Sequence, residues 1–232
     1  KTVYEAKWNE FTLQCRGLIL NSKNVVVARP FKKFFNFQEY INLSNGLTVP
    51  NELMNDEACE VFEKVDGSLG VLYHLPSGEP RIATRGSFNS EQAIRATNIF
   101  NKKYRDFNFD EEYTFLFEII YPTNRIVVDY GDMEDLILLG AIHKETGEEA
   151  PFSMLQEYSI LMSVPLVESY NFGSMNQTLR YMKEQPQKNS EGFVVKYKSG
   201  LRVKIKYEEY CRLHKLLTGV NEKTVWEILR AG

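Results

Sequence analysis

The sequence predicts an α+β fold with mostly antiparallel sheets flanked by helices. Three observations lead there. Short β-rich runs are scattered along the whole chain of 232 residues. Several of them, at residues 11–29, 59–73 and 191–206, read as strand, turn, strand. Segments with helical spacing lie between the strand runs and are few.

Taken in order, Leu18-Ile19-Leu20 and Val25-Val26-Val27 flank a turn at Asn21-Ser22-Lys23-Asn24, with Arg16-Gly17 at its entrance. Arg29-Pro30-Phe31-Lys32-Lys33-Phe34-Phe35-Asn36 follows. Pro30 fixes φ and keeps Arg29 extended. Its phenylalanines are either core with snorkelling lysines or the anchors of a phosphate-facing segment. Residues 39–58 read as a short helix and an irregular connection. Cys59, Val61 and Phe62 then lead into Glu63-Lys64-Val65-Asp66-Gly67-Ser68-Leu69-Gly70, and Val71, Leu72 and Tyr73 lead out. The spacing of two places Lys64 and Asp66 on one face of the pleat, and Gly67 permits a close backbone approach.

Arg81-Ile82-Ala83-Thr84 is a further strand ending at Gly86. Residues 90–105 read as a helix capped by Ser90, with Ile94, Thr97, Phe100 and Tyr104 on one side. Tyr113 to Tyr121 is strongly β, and Ile126–Asp129 and Leu136–Ile142 follow as strands. Residues 153–163 and 174–185 read as helices with Ser153 and Ser174 as N-caps. Glu191 to Lys206 forms a hairpin, with Lys204 and Lys206 on one strand face and Val203 and Ile205 on the other. Residues 207–217 and 222–230 read as helices. No linker or internal repeat divides the chain, so residues 1–232 read as one domain without a separate C-terminal domain.

Composition excludes several classes. No apolar run approaches the ~20 residues needed to span a bilayer. Three scattered cysteines (Cys15, Cys59, Cys211) give neither a metal spacing nor a disulfide framework. They favour a reducing, cytoplasmic setting. Three isolated histidines (His74, His143, His214) supply no zinc pair and no triad. The net charge of -3 hides a basic C-terminal stretch. From Lys196 to Arg230 there are nine Lys/Arg against four Asp/Glu.

The chemistry-bearing residues are charges placed on strands and turns. Lys64 beside Asp66 in a Gly turn is either a solvated pair worth ~0–1 kcal/mol or a phosphate ligand or nucleophile. The last role needs its pKa to fall from ~10.4, as a nearby cation would cause. Glu118 among apolar neighbours needs a partner, a metal or a ligand; Arg125 is one such partner. Lys204 and Lys206 repel each other unless an anion lies between them. Carboxylates at Asp66, Glu118 and Glu191 suit Mg²⁺. With bases at Arg16, Lys33, Arg85, Lys204 and Lys206, they make an inventory for nucleotidyl transfer.

Lys64-Val65-Asp66-Gly67-Ser68, Phe117-Glu118, Glu191-Gly192-Phe193-Val194-Val195-Lys196 and Val203-Lys204-Ile205-Lys206 resemble, in order, four motifs of the covalent nucleotidyltransferases. These are the ligases and RNA capping enzymes. Cys15-Arg16-Gly17 and Lys33-Phe34-Phe35-Asn36 resemble the RNA ligase 1 family, which includes single-strand-sealing phage enzymes; fungal tRNA ligases are more distant kin. The resemblance implies the ligase-type nucleotidyltransferase fold, related to ATP-grasp, with its sheets lining a nucleotide cleft. Lys64 would attack the α-phosphate of ATP and form lysyl-AMP, and Glu63 would help read adenine. Arg16 and Lys33 would hold the β- and γ-phosphates, and Arg85 the ribose or a phosphate. Asp66, Glu118 and Glu191 would orient the waters of Mg²⁺, with Mn²⁺ as an alternative ion. Lys204 and Lys206 would stabilise charge on the α-phosphate and leaving group. Family members often stack an aromatic ring on the base, and Leu136–Ile142 carries none.

The resemblance thus implies an ATP-dependent RNA ligase joining 5′-phosphate and 3′-hydroxyl RNA ends in RNA or tRNA repair. It implies a cytoplasmic monomer without membrane contact, working in the host cytoplasm if of phage origin. A GTP-dependent capping guanylyltransferase, a DNA ligase, and a nucleic-acid-binding module with a degenerate site are the alternatives. The intact Lys64, Glu118, Glu191, Lys204 and Lys206 weigh against the last.

Overall fold

The computed structural model describes residues 8–107 and 109–219. Among them, strands form three sheets. β1 (Ile19–Leu20) and β2 (Val26–Ala28) make a small hairpin. A five-stranded sheet runs in the order β3 (Phe35–Asn36), β11 (Arg202–Lys206), β10 (Gly192–Tyr197), β4 (Cys59–Glu63), β9 (Ser169–Tyr170). A four-stranded sheet runs β6 (Pro80–Thr84), β5 (Ser68–His74), β7 (Tyr113–Ile120), β8 (Asp135–His143). All ladders are antiparallel except β3 with β11. The α+β class with mostly antiparallel sheets is what the chain adopts.

The helices are α1 (Glu10–Gln14), α2 (Phe37–Ile41), α3 (Asn51–Met54), α4 (Glu91–Lys103), α5 (Phe152–Met162), α6 (Met175–Glu184) and α7 (Glu208–Gly219). None among the described residues is long and apolar enough to cross a membrane. One face of the four-stranded sheet packs Leu72, Ile82, Phe117 and Leu138 against Phe100 of α4 and Leu155 of α5. The five-stranded sheet packs Val61, Phe193, Val195, Val203 and Ile205 against Met175 and Met182 of α6 and Tyr210 of α7. Strand alternation then turns Lys196, Arg202, Lys204 and Lys206 to the opposite face. Two of these cations are neutralised there: Arg202 pairs with Glu149, and Lys196 lies 3.1 Å from Glu60 and 3.4 Å from Glu149. The Arg202 guanidinium also sits 4.3 Å from the centre of the Phe31 ring.

The strands before and after Lys64 do not pair with each other. β4 joins the five-stranded sheet and β5 the four-stranded one. Residues 64–67 are therefore the crossing between sheets, not a hairpin turn. A Gly turn shows that the chain bends, and it does not say which strands pair. Residues 10–14 form a helix rather than a strand. Asn9 caps it by accepting from the Thr12 N–H at 2.9 Å, and Thr12 reciprocates. Residues 126–129 are irregular because the N–H groups of Val127 and Val128 go to the Asp66 side chain and that of Asp129 to Asn189 Oδ1. Ile94 is 53% exposed, and α4 buries Ala93, Ala96, Thr97, Ile99 and Phe100. Ser90 and Ser174 cap their helices, whereas α5 starts from Pro151 rather than Ser153. The helix expected at 222–230 lies outside the described residues.

Candidate active site

The site forms where the crossing between sheets meets the β10–β11 hairpin. Lys64 N–H donates to the Gly192 carbonyl at 2.8 Å, which docks the crossing onto the start of β10. Lys64 Nζ donates to Glu191 Oε2 at 2.7 Å. Lys206 Nζ reaches the other oxygen, Oε1, at 2.7 Å. One buried carboxylate, 3% exposed, thus bridges two lysines from separate motifs. The close packing needs glycine at position 192. Its φ is +142°, and a Cβ there would lie 2.0 Å from the Ile205 carbonyl oxygen.

Glu118, on β7, accepts from the Gly67 N–H at 3.0 Å and does not pair with Arg125, which bonds Asp129 instead. A Cβ on Gly67 would meet the Ile119 carbonyl oxygen at 2.6 Å. Burial pushes the Glu118 carboxyl up to about 7, with Lys64 pulling it back and Glu191 adding to the rise. The effect on Lys64 is the reverse of the expected fall. Burial opposes its ammonium form, but Glu191, Glu118 and Asp66 outweigh burial and hold the amine above the ordinary lysine value.

Asp66 departs most from expectation. It shares no pleat face with Lys64, because the crossing is not a strand. Its Oδ2 accepts the N–H groups of Val127 and Val128, both at 2.9 Å. Its Oδ1 accepts the Tyr210 hydroxyl at 2.7 Å. Its own N–H donates to the Tyr130 hydroxyl at 2.8 Å. Asp66 thereby anchors the loop from below. The expected trio of Asp66, Glu118 and Glu191 is not a preformed cage. Among the described residues no three acidic, His or Cys side chains cluster to hold a metal. Glu118 and Glu191 still fit Mg²⁺, which uses one or two carboxylates together with water and substrate phosphate.

The remaining cations form a belt. Lys204 has no carboxylate partner among the described residues and lies over the Phe34 ring, 5.7 Å from its centre. Burial first, then Lys33, Lys64, Lys206 and Arg16, push its pKa down to about 8. Lys33 is also pushed down to about 8, by burial; Glu39 pulls it back and Arg16 adds to the fall. Its ammonium donates to the Phe34 carbonyl at 2.9 Å and sits 3.7 Å from the Phe35 ring centre. Burial, then Arg85, lowers Arg16. Such crowding of like charge marks a place for a polyanion. Glu63 lies apart from this belt: burial raises it, and then Glu168 does.

Tyr210 was not singled out by the sequence, beyond its place on a helix. Its hydroxyl donates to Asp66 at 2.7 Å, and its ring lies 5.0 Å from Lys206 Nζ. The available signal was its place on the helix that directly follows the Lys204–Lys206 strand.

A family model described as RNA ligase matches residues 14–210. The "Putative bifunctional polynucleotide kinase/RNA ligase" of Autographa californica nuclear polyhedrosis virus is 32% identical over 226 residues, which cover 88% of this chain and 31% of that protein. The RNA ligase of Rhodothermus phage RM378 is 24% identical over 283 residues, covering 94% and 64%. Among solved structures, an archaeal ATP-dependent RNA ligase superposes with a TM-score of 0.59 at 15% identity, covering 83% of this chain and 52% of that one. Naegleria gruberi RNA ligase with PPi gives 0.56 at 17%, covering 86% and 62%. The chain thus spans about a third to two thirds of the length of these curated relatives.

Proposed function

Because the chain belongs to the RNA ligase family, we propose that it is the adenylyltransferase part of an ATP-dependent ligase joining 5′-phosphate to 3′-hydroxyl RNA ends. The observation that carries this reading is Lys64 and Lys206 held 2.7 Å from opposite oxygens of buried Glu191, with Lys204 on the same strand face as Lys206. Nucleophile, proton acceptor and anion ligands converge there.

In the first step the Lys64 amine attacks the α-phosphorus of ATP. A nitrogen–phosphorus bond forms, the bond to the β-phosphate bridging oxygen breaks, and pyrophosphate leaves. Lys64 must first lose a proton, and Glu191 and Glu118 are the carboxylates placed to accept it. Lys204 and Lys206 neutralise charge growing on the α-phosphate and leaving group. Lys33 and Arg16 are the cations proposed to hold the β- and γ-phosphates, and Arg85 the ribose or a phosphate. Glu118 and Glu191 would hold Mg²⁺, or Mn²⁺ in its stead, and the ion would supply further charge neutralisation and favour the neutral amine. The Asp66 oxygens are held by two backbone N–H groups and the Tyr210 hydroxyl, whereas those of Glu191 are held by the two lysines proposed to turn to the phosphates, so Asp66 is assigned to fixing the Lys64 loop. Glu63, at the end of β4, is the residue proposed to read adenine.

AMP then passes to an RNA 5′-phosphate, and a 3′-hydroxyl displaces it as the phosphodiester forms. The protein works as a cytoplasmic monomer in RNA or tRNA repair. ATP labelled at the α-phosphate should leave label on the protein, and a 5′-phosphorylated oligoribonucleotide should be circularised. GTP labelling in place of ATP labelling would overturn the adenylyl assignment.

A further inference from the structure

A groove at the free edge of the four-stranded sheet lies outside the site just described. β6 is the edge strand, and α4 covers it: Ile82 N–H donates to Thr97 Oγ1 at 3.0 Å. The groove between them is lined by Tyr73, Arg81, Phe88, Asn89, Ile94 and Asn98. Phe88 is 53% exposed, on the loop after β6, with its ring edge-on to Tyr73 at 5.3 Å between centres. Ile94, also 53% exposed, adds apolar surface. Arg81 stands directly across the ladder from Tyr73 and pairs at 3.0 Å with Glu79. Both partners of that pair are over 40% exposed, so solvent screens it and a phosphate can replace the carboxylate.

This set has the composition of a nucleotide subsite: a free aromatic face, a cation and two side-chain amides. Stacking on an aromatic ring tolerates any base, and the amides of Asn89 and Asn98 can bond base edges. The loop carrying Phe88 begins beside the cation belt. Arg85, at its start, packs its backbone 3.5 Å from where a Cβ on Gly17 would lie, next to Arg16 in the chain. Arg16 and Arg85 thus stand at the start of the loop that carries Phe88.

Resting on the RNA-joining reading, the geometry points to the Tyr73–Arg81–Phe88 groove as a subsite that stacks a base of the single-stranded RNA substrate, with Arg81 on its backbone. The occupant is RNA because a polyanion with flat bases matches both the cations and the exposed ring.

The test uses the full chain and a fluorescent 5′-phosphorylated oligoribonucleotide whose 3′ end is blocked. Binding is followed by anisotropy at several salt concentrations, and lysyl-AMP formation is measured in parallel. F88A should weaken RNA binding roughly 10- to 100-fold, the range carried by stacking on one ring. F88W should restore it. R81Q should weaken binding more modestly and flatten the salt dependence, as loss of one phosphate contact requires. An F88A protein that binds RNA as tightly as wild type would overturn the subsite. So would a loss that F88W leaves uncorrected, or photocrosslinks from a 5-iodouridine oligonucleotide that avoid residues 73–98. If wild type forms no lysyl-AMP but these binding effects appear, the adenylyl reading fails and the groove stands. The reverse outcome, normal lysyl-AMP with unchanged RNA binding, sinks the groove alone.

Discussion

Replacing Lys204 with methionine should make the ligand-free protein more stable. Lys204 lies among Lys33, Lys64, Lys206 and Arg16 and is held at about 8. Its ordinary value is 10.5. The gap corresponds to about 3 kcal/mol against the ammonium form, and about 2 kcal/mol after allowing for its partial exposure. Methionine keeps an unbranched stem against Phe34 and removes the charge. The sign follows from linkage. A lysine whose folded pKa is depressed penalises the folded state fully below pH 8. The penalty fades as pH rises from 8 towards 10.5, because the unfolded chain binds the proton more tightly in that window. K204M should therefore melt about 4–8 °C above wild type at pH 7, and the gap should close towards pH 10. Pyrophosphate should raise the wild-type melting temperature more than that of K204M. Thermal melts by circular dichroism, with and without pyrophosphate, read this directly. A K204M protein less stable than wild type at pH 7, or a gap indifferent to pH, would refute the reasoning.

Tyr210→Phe should keep the packing of α7 but lose the bond to Asp66. The expected cost is about 1–2 kcal/mol in chemical denaturation, with slower lysyl-AMP formation; unchanged values for both would contradict the anchoring role. Gly67→Ala drives a Cβ to 2.6 Å from the Ile119 carbonyl oxygen. Adenylation by G67A should fall at least roughly 100-fold, because a displaced Lys64 loses its attack geometry; full activity would show that the crossing relaxes freely.

The sequence displayed the chemistry more clearly than the path of the chain. Lys64, Glu118, Glu191, Lys204 and Lys206 stood out as charges in apolar strand contexts, where each demands a partner. The partners themselves were not visible. Glu191 bridges Lys64 and Lys206 across 127 and 15 positions, and no local pattern encodes that. Strand runs were legible from composition, but pairing is tertiary, so the crossing at residues 64–67 looked like a hairpin. Val127 and Val128 show the same limit. Their β-branched side chains suggested a strand, whereas their N–H groups are claimed by Asp66 from 61 and 62 positions away. The short β3 and β9, two residues each, gave no periodic signal to detect.

The central claim is that the Lys64 amine becomes covalently bound to AMP. The direct measurement incubates wild type and K64A with α-labelled ATP and Mg²⁺, and then runs a denaturing gel. Wild type should retain label that is acid-labile and base-stable, as a phosphoramide is, and peptide mapping should place it on Lys64. K64A should carry none. Label on K64A with the same stability would show that another residue is the nucleophile.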